Sequence, residues 1–143
     1  MSRLFLIAHL AGRPVAIDSA QVDSVVDIGA IVPVPRADKQ VKGLAALRSR
    51  VVTVIDPCAA LGVAHSAEDS ARAVVTRIDG HHYAIQVDSL EDVAPFDMAP
   101  LASGIVLDGG WGQAGCGTVE LNGEPILVVD LRVLVPGALP IAA

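Results

Sequence analysis

The chain has 143 residues, a formal charge of −6 from 16 acidic and 10 basic residues, and a 52% hydrophobic content with only four aromatic rings. That length fits one domain, or two small halves on one core, and is long enough to fold without a metal or disulfide. Only two lysines are present and no basic stripe exists, so nucleic-acid binding is excluded, and no apolar run reaches the roughly 20 residues of a membrane-spanning helix.

In chain order, the pattern is short β-rich runs divided by turn signals. Leu4–Leu10, Val15–Ile17 and Val22–Ile28 come first, with Gly12-Arg13-Pro14 between the first two. The N-terminal run leads straight into this pattern, and no secretory leader is expected. Val22–Ile28 carries more apolar residues than a solvated strand face needs. Core packing accounts for half of them and an interaction edge for the rest, and the pattern leaves both open. Val41–Leu47 and Val51–Ile55 follow, joined by Arg48-Ser49-Arg50. The next strands are Ala73–Ile78, Tyr83–Val87, Leu90–Phe96, Thr118–Leu121 and Ile126–Val129. Asp79-Gly80 and Asn122-Gly123 suit two-residue hairpins, whose central residues both need positive φ. Short helices are expected at 56–61 and 130–135, each capped by its leading Asp. Ten short strands at this spacing predict an all-β barrel or sandwich.

The segments repeat. Residues 12–25 match 80–93 at an offset of 68, sharing Gly, Ala, Ile and Val at equivalent places, and 43–56 match 117–130 at an offset of 74. The repeat predicts two five-stranded units: 13–62 with 72–78 as crossing strand, and 80–136 with 3–10 as crossing strand. Residues 63–71 form a polar link.

Catalytic groupings are absent from the pattern. His9, His65, His81 and His82 are scattered, and the adjacent pair points to opposite strand faces, so no metal site is expected. Cys58 and Cys116 lack CxxC spacing and read as two reduced thiols. The glycine-rich 108–117 lacks the Gly-Lys-Ser/Thr ending of a phosphate loop and reads as a flexible loop, with Trp111 as an anchor or contact. No cofactor is expected. Trp111 and the apolar halves also keep open a small-molecule-binding barrel.

Gly43-x-x-x-Leu47-Arg48-x-Arg50-Val-Val-x-Val-Ile-Asp56, followed by Gly80-x-x-Tyr83-Ala-Ile-x-Val87-Asp88, resembles the CheW-like domain, and the resemblance runs from Leu4 to about Val135. It implies two intertwined five-stranded SH3-like β-barrels on a shared apolar core, with short helices at the barrel ends. It also implies a non-enzymatic cytoplasmic adaptor without membrane insertion. Its partners would be the cytoplasmic tip of a chemoreceptor and the regulatory domain of a chemotaxis histidine kinase. The protein-binding residues carried over are Val22, Asp23, Ser24, Gly43 and Arg48. No receiver or kinase domain is expected beyond Val135. The chain departs from the family at Ala46, where Asn is common, at Ser49 in place of Gly, and at Pro57. These departures raise the alternative of an adaptor for type IV pilus or other two-component signalling. Arg50 is expected to be a solvated flank, equivalent to Glu124 in the repeat.

Overall fold

The computed structural model describes residues 2–47, 50–63, 71–101, 107 and 110–136. Its strands are β1 (Arg3–Leu10), β2 (Arg13–Asp18), β3 (Ser24–Asp27), β4 (Val41–Leu47), β5 (Arg50–Ile55), β6 (Arg72–Ile78), β7 (His81–Gln86), β8 (Ser89–Phe96), β9 (Gly115–Leu121) and β10 (Glu124–Val129). All ten expected strands are present. Three hairpins turn on two residues with positive φ: Ala11-Gly12 (52° and 80°), Asp79-Gly80 (51° and 81°) and Asn122-Gly123 (52° and 83°). The last two were marked by their Asp-Gly and Asn-Gly pairs. The first is not, because alanine rarely adopts a left-handed backbone.

The strands form two five-stranded sheets. Sheet I has the order β8-β1-β2-β10-β9 and sheet II the order β3-β6-β7-β5-β4. Under the repeat, β1 to β5 correspond to β6 to β10, and one order becomes the other. The sheets do not follow the expected grouping of 13–62 with 72–78 and 80–136 with 3–10. Arg13–Asp18 belongs to sheet I and His81–Gln86 to sheet II. A two-residue turn keeps both arms of a hairpin side by side, so β2 stays with β1 and β7 with β6. Each hairpin therefore joins the sheet of the other repeat through a parallel contact. β10 pairs β2 (Leu127 opposite Val15), and β5 pairs β7 (Thr53 opposite Tyr83).

Strand alternation then distributes the apolar residues among three cores. Ala45, Val52, Val54, Val75 and Ala84 line the inside of sheet II. Phe5, Ile7, Val119, Ile126 and Val128 line the inside of sheet I. The opposite faces meet in a shared core that includes Leu6, Leu10, Ile17 and Leu127 from sheet I and Ile55, Val74 and Ile85 from sheet II.

Asp56 caps α1 (Pro57–Leu61) by accepting from Cys58 N, and Asp130 caps a 3₁₀ turn at Leu131–Leu134 by accepting from Arg132 N. The glycine-rich stretch departs from the loop reading. Trp111–Ala114 forms one helical turn, α2. Trp111 is 3% exposed with the Arg13 guanidinium 4.8 Å from its ring centre, so it is a core anchor and not a surface contact.

A second tie joins the repeats. Gln21, in a 3₁₀ turn after β2, donates to Asp130 Oδ1 at 2.8 Å and accepts from Leu131 N at 2.9 Å. Burial alone would raise the Asp130 pKa, but hydrogen bonds from Arg132 and Gln21 outweigh it and hold the carboxyl below its ordinary value. A depressed folded pKa gives stability that is present above the unfolded carboxylate value, about 4, and lost as pH falls through the folded one. Asp130→Ala is expected to cost about 1–2 kcal/mol near neutrality by urea unfolding, with the deficit shrinking below about pH 4.

Gly43 and Gly117 occupy equivalent places for one reason. In each half a stray segment crosses over the strand: Val32 bridges Leu44, and Ala99 bridges Thr118. A Cβ on Gly43, at φ 152°, would sit 2.2 Å from the Val32 carbonyl oxygen, and one on Gly117 2.7 Å from that of Ala99. Gly43→Ala is therefore expected to cost about 2–4 kcal/mol. Gly29→Ala, where nothing lies within 4 Å, serves as the near-neutral control in the same unfolding experiment.

Candidate protein-docking surface

Sheet II curls until its two edge strands, β3 and β4, approach each other. The seam between them is an open groove of about 730 Å3. Residues Asp23 to Asp27 form one wall, Ala46, Leu47 and Arg50 the other, and Val75 lies between them. Alternation along β3 settles what sequence pattern left open. Ser24 and Val26 are half-buried and Val26 packs against the inner core, while Val25 is 41% exposed. One strand thus serves both core and surface.

The charges in the groove are paired but not buried. Arg72 Nε lies 2.7 Å from Asp27 Oδ1, across the β3–β6 register. Arg50 Nη1 lies 3.7 Å from Asp23 Oδ2 and is hydrogen-bonded with His82 Nε2. Arg50 is therefore not the bland flank expected of it. It opens β5 opposite Leu47 and shares the inward row of Val52 and Val54, which brings it to His82 on β7 and Asp23 at the head of β3.

A second surface lies on the outer side of the β4–β5 hairpin. Leu44 is 38% exposed, Val51 61%, and Val32, bridged to Leu44, 65%. Exposed Ala46 sits opposite Val51. The repeat supplies an internal control for this face. The equivalent positions in sheet I are Thr118, Pro125, Ala99 and Glu120, so the same hairpin backbone is built without Leu or Val at these places, while sheet I exposes Leu4 and Val93 on β1 and β8 instead. The seam of sheet I also differs. Pro95 sits on the edge strand β8, so that strand offers one backbone donor fewer to an incoming chain. The fold does not require the apolar character of the sheet II hairpin.

The five residues carried over from the resemblance are not all together. Asp23 and Ser24 line the groove. Val22 is half-buried and packs against the shared core. Gly43 is buried beneath Val32, where its part is to let that segment cross. Arg48, with Ser49, lies outside the described residues. Val25, Asp27 and Arg50 in the groove, and Val32, Leu44 and Val51 on the hairpin, were not selected from sequence. Comparing the two repeats for polarity at equivalent exposed positions would have found the hairpin residues.

Catalytic chemistry finds little support among the described residues. No three of His, Cys, Asp and Glu gather to hold a metal ion. His9 sits between Glu91 at 3.2 Å and Ser89 at 3.3 Å, and His65 lies outside the described residues. Neither Cys58 nor Cys116 is in a disulfide, and Cys58 is buried. Burial, then the nearby Asp130 charge, pushes the Cys116 thiol up, which disfavours the reactive thiolate. No helix among the described residues is long and apolar enough to cross a membrane.

The family model for the CheW-like domain matches residues 4–138. The chain belongs to the CheW-like domain family. A CheW scaffolding protein from Thermoanaerobacter tengcongensis has a similar structure, with a TM-score of 0.79 at 20% sequence identity over 99% of this chain and 93% of that one. No protein in the curated set matches the chain. At that identity the structural likeness speaks for the two-sheet CheW fold, and the family match for a scaffold or coupling protein.

If the CheW-like hairpin face is surplus to folding, Val51→Ser and Leu44→Ser should change unfolding free energy by no more than about 0.5 kcal/mol. Losses above about 2 kcal/mol in urea titration would show that the patch belongs to the core.

Proposed function

We propose that this chain is a non-enzymatic cytoplasmic adaptor that couples the cytoplasmic tip of a chemoreceptor to the regulatory domain of a chemotaxis histidine kinase. The observation that carries this reading is the contrast between the repeats. Sheet II presents Val32, Leu44 and Val51 to solvent beside a groove of about 730 Å3, where sheet I has Ala99, Thr118 and Pro125 beside a groove of about 680 Å3 that contains Pro95 and Pro125. A fold that can be built without these large aliphatic groups on the hairpin but keeps them has a use for them. Two adjacent surfaces on one sheet suit a protein that holds two partners.

Val22, Asp23, Ser24, Gly43 and Arg48 are the partner-binding residues implied by the family. Asp23 and Ser24 act directly from the groove. Gly43 and Val22 act by setting the hairpin and β3 in place. Arg48, outside the described residues, is carried over from the family resemblance alone. A second reading, an adaptor for type IV pilus or another two-component pathway, draws on Ala46. This departure from the family pattern falls on the groove wall, where it alters the surface a partner meets. Small-molecule binding loses its main motive, because Trp111 is buried under Arg13.

Titration calorimetry of the full chain against purified kinase regulatory domain and receptor-tip fragment tests the proposal. Val51→Asp and Arg48→Glu are each expected to weaken at least one partner by about 2 kcal/mol or more, while the Pro125→Asp variant on the equivalent face of sheet I leaves both unchanged. Wild-type affinity for both partners in folded Val51→Asp and Arg48→Glu proteins would reject the assignment.

A further inference from the structure

The equivalent edge strands of the two sheets differ in what their backbones offer. In sheet II, β3 is an edge strand whose one neighbour is β6. Ile28 N donates to Ala71 O at 2.6 Å, which fixes the phase of that ladder. Residues of an antiparallel strand alternate between bonding across the pair and pointing away from it. Val26 therefore turns to β6, while Val25 and Asp27 turn N–H and C=O into the groove. In sheet I the equivalents, at the offset of 68, are Val93 and Pro95, and both donors are lost there. Val93 N donates to Asp92 Oδ1 at 2.8 Å, and Pro95 has no N–H. One backbone edge is blocked in sheet I and left open in sheet II. The opposite wall of the sheet II groove is open too. Leu44 exchanges both main-chain bonds with Val32, at 2.8 and 2.9 Å, and Ala46, two residues further along that edge, turns its own groups into the groove.

We propose that the groove takes an extended segment of a partner as an added strand on β3, held by the main chain of Val25 and Asp27. This names the mode of binding at the site of the adaptor reading and rests on that reading for the partner's identity. An exposed edge is a template for any strand, and folded proteins block theirs with proline or by covering it, as β8 does. Unpaired backbone donors and acceptors fix the class of occupant as peptide main chain, and the side chains around them fix its character. Among the described residues the acids on the walls are already matched, Asp23 with Arg50 at 3.7 Å and Asp27 with Arg72 at 2.7 Å. The groove thus carries no net charge to draw in a charged segment. Val25, 41% exposed, lies beside the incoming strand. The complementary occupant is uncharged in its middle, with an aliphatic residue against Val25.

Amide exchange resolved residue by residue in magnetic resonance spectra of the full chain tests the edge. In the free protein, Val25 and Asp27 should exchange at least about tenfold faster than Val26, and equal rates would overturn the open edge. A capped heptapeptide, Lys-Thr-Val-Thr-Val-Thr-Lys, added at millimolar concentration, should shift and protect both amides. Its failure to do so would overturn the edge as a strand acceptor, whatever larger partners do. The purified kinase regulatory domain and receptor-tip fragment are then added in turn. One of them is expected to protect both amides and to show cross-strand Hα contacts from an extended segment. Binding that leaves both amides exchanging as in the free chain would contradict the added strand. Asp27→Pro copies Pro95 and removes a donor that points away from β6, so the β3–β6 ladder keeps its bonds. Asp27→Ala loses the Arg72 pair but keeps the donor. Proline is expected to weaken that partner roughly tenfold and alanine by less than about twofold, as for loss of one main-chain hydrogen bond. Equal losses would assign the contact to the Asp27 side chain and sink the proposal. Absence of binding by both fragments would reject the adaptor reading, while the heptapeptide still decides the edge.

Discussion

The structure depends on an exchange of hairpins between its two repeats. β1–β2 completes the sheet made by β8, β9 and β10, and β6–β7 completes the sheet made by β3, β4 and β5. The joints are two parallel strand contacts, β2 with β10 and β5 with β7, and parallel pairing needs a long connection to reach it. Neither repeat can close its own sheet, so neither can bury its apolar residues alone. The shared core and the Gln21–Asp130 tie across 109 residues both follow from that exchange. A duplicated unit thereby becomes one cooperative body with two nearly equivalent ends.

Near-equivalence is what makes the surface interpretable. Backbone demands are the same in both halves, down to glycines that let a stray segment bridge Leu44 and Thr118. Where the halves differ at exposed positions, the fold cannot be the cause. Sheet I replaces aliphatic groups with Thr118, Glu120 and Pro125 and carries proline on its free edge, as edge strands do when they must not pair. Sheet II keeps Leu44 and Val51 exposed, with an open groove alongside.

Much of the fold was legible because its signals are local. Asp79-Gly80 and Asn122-Gly123 mark their turns, Asp56 and Asp130 mark helical starts, and alternation marks the strands. The strand exchange was not, since a repeat shows which strands are equivalent and not which ones pair. Trp111 was read as an anchor or contact and is an anchor, but the single helical turn it opens was hidden by the surrounding glycines, which carry no helix signal. The docking surface was legible only in part. Asp23 and Ser24 fell on the groove, but the groove exists because sheet II curls, which brings Arg50 beside residues far from it in the chain. Arg50 looked like a flank for the same reason: its partners lie 27 and 32 positions away in sequence.

The central claim is that partners dock on sheet II and leave the equivalent surface of sheet I open. Hydrogen–deuterium exchange of the full chain, free and bound to kinase regulatory domain or receptor-tip fragment, tests this without any substitution. The account predicts new protection at residues 23–27 and 44–51, with 95–97 and 118–125 exchanging as in the free chain. Protection confined to the sheet I segments, with residues 23–27 and 44–51 unchanged, would contradict it.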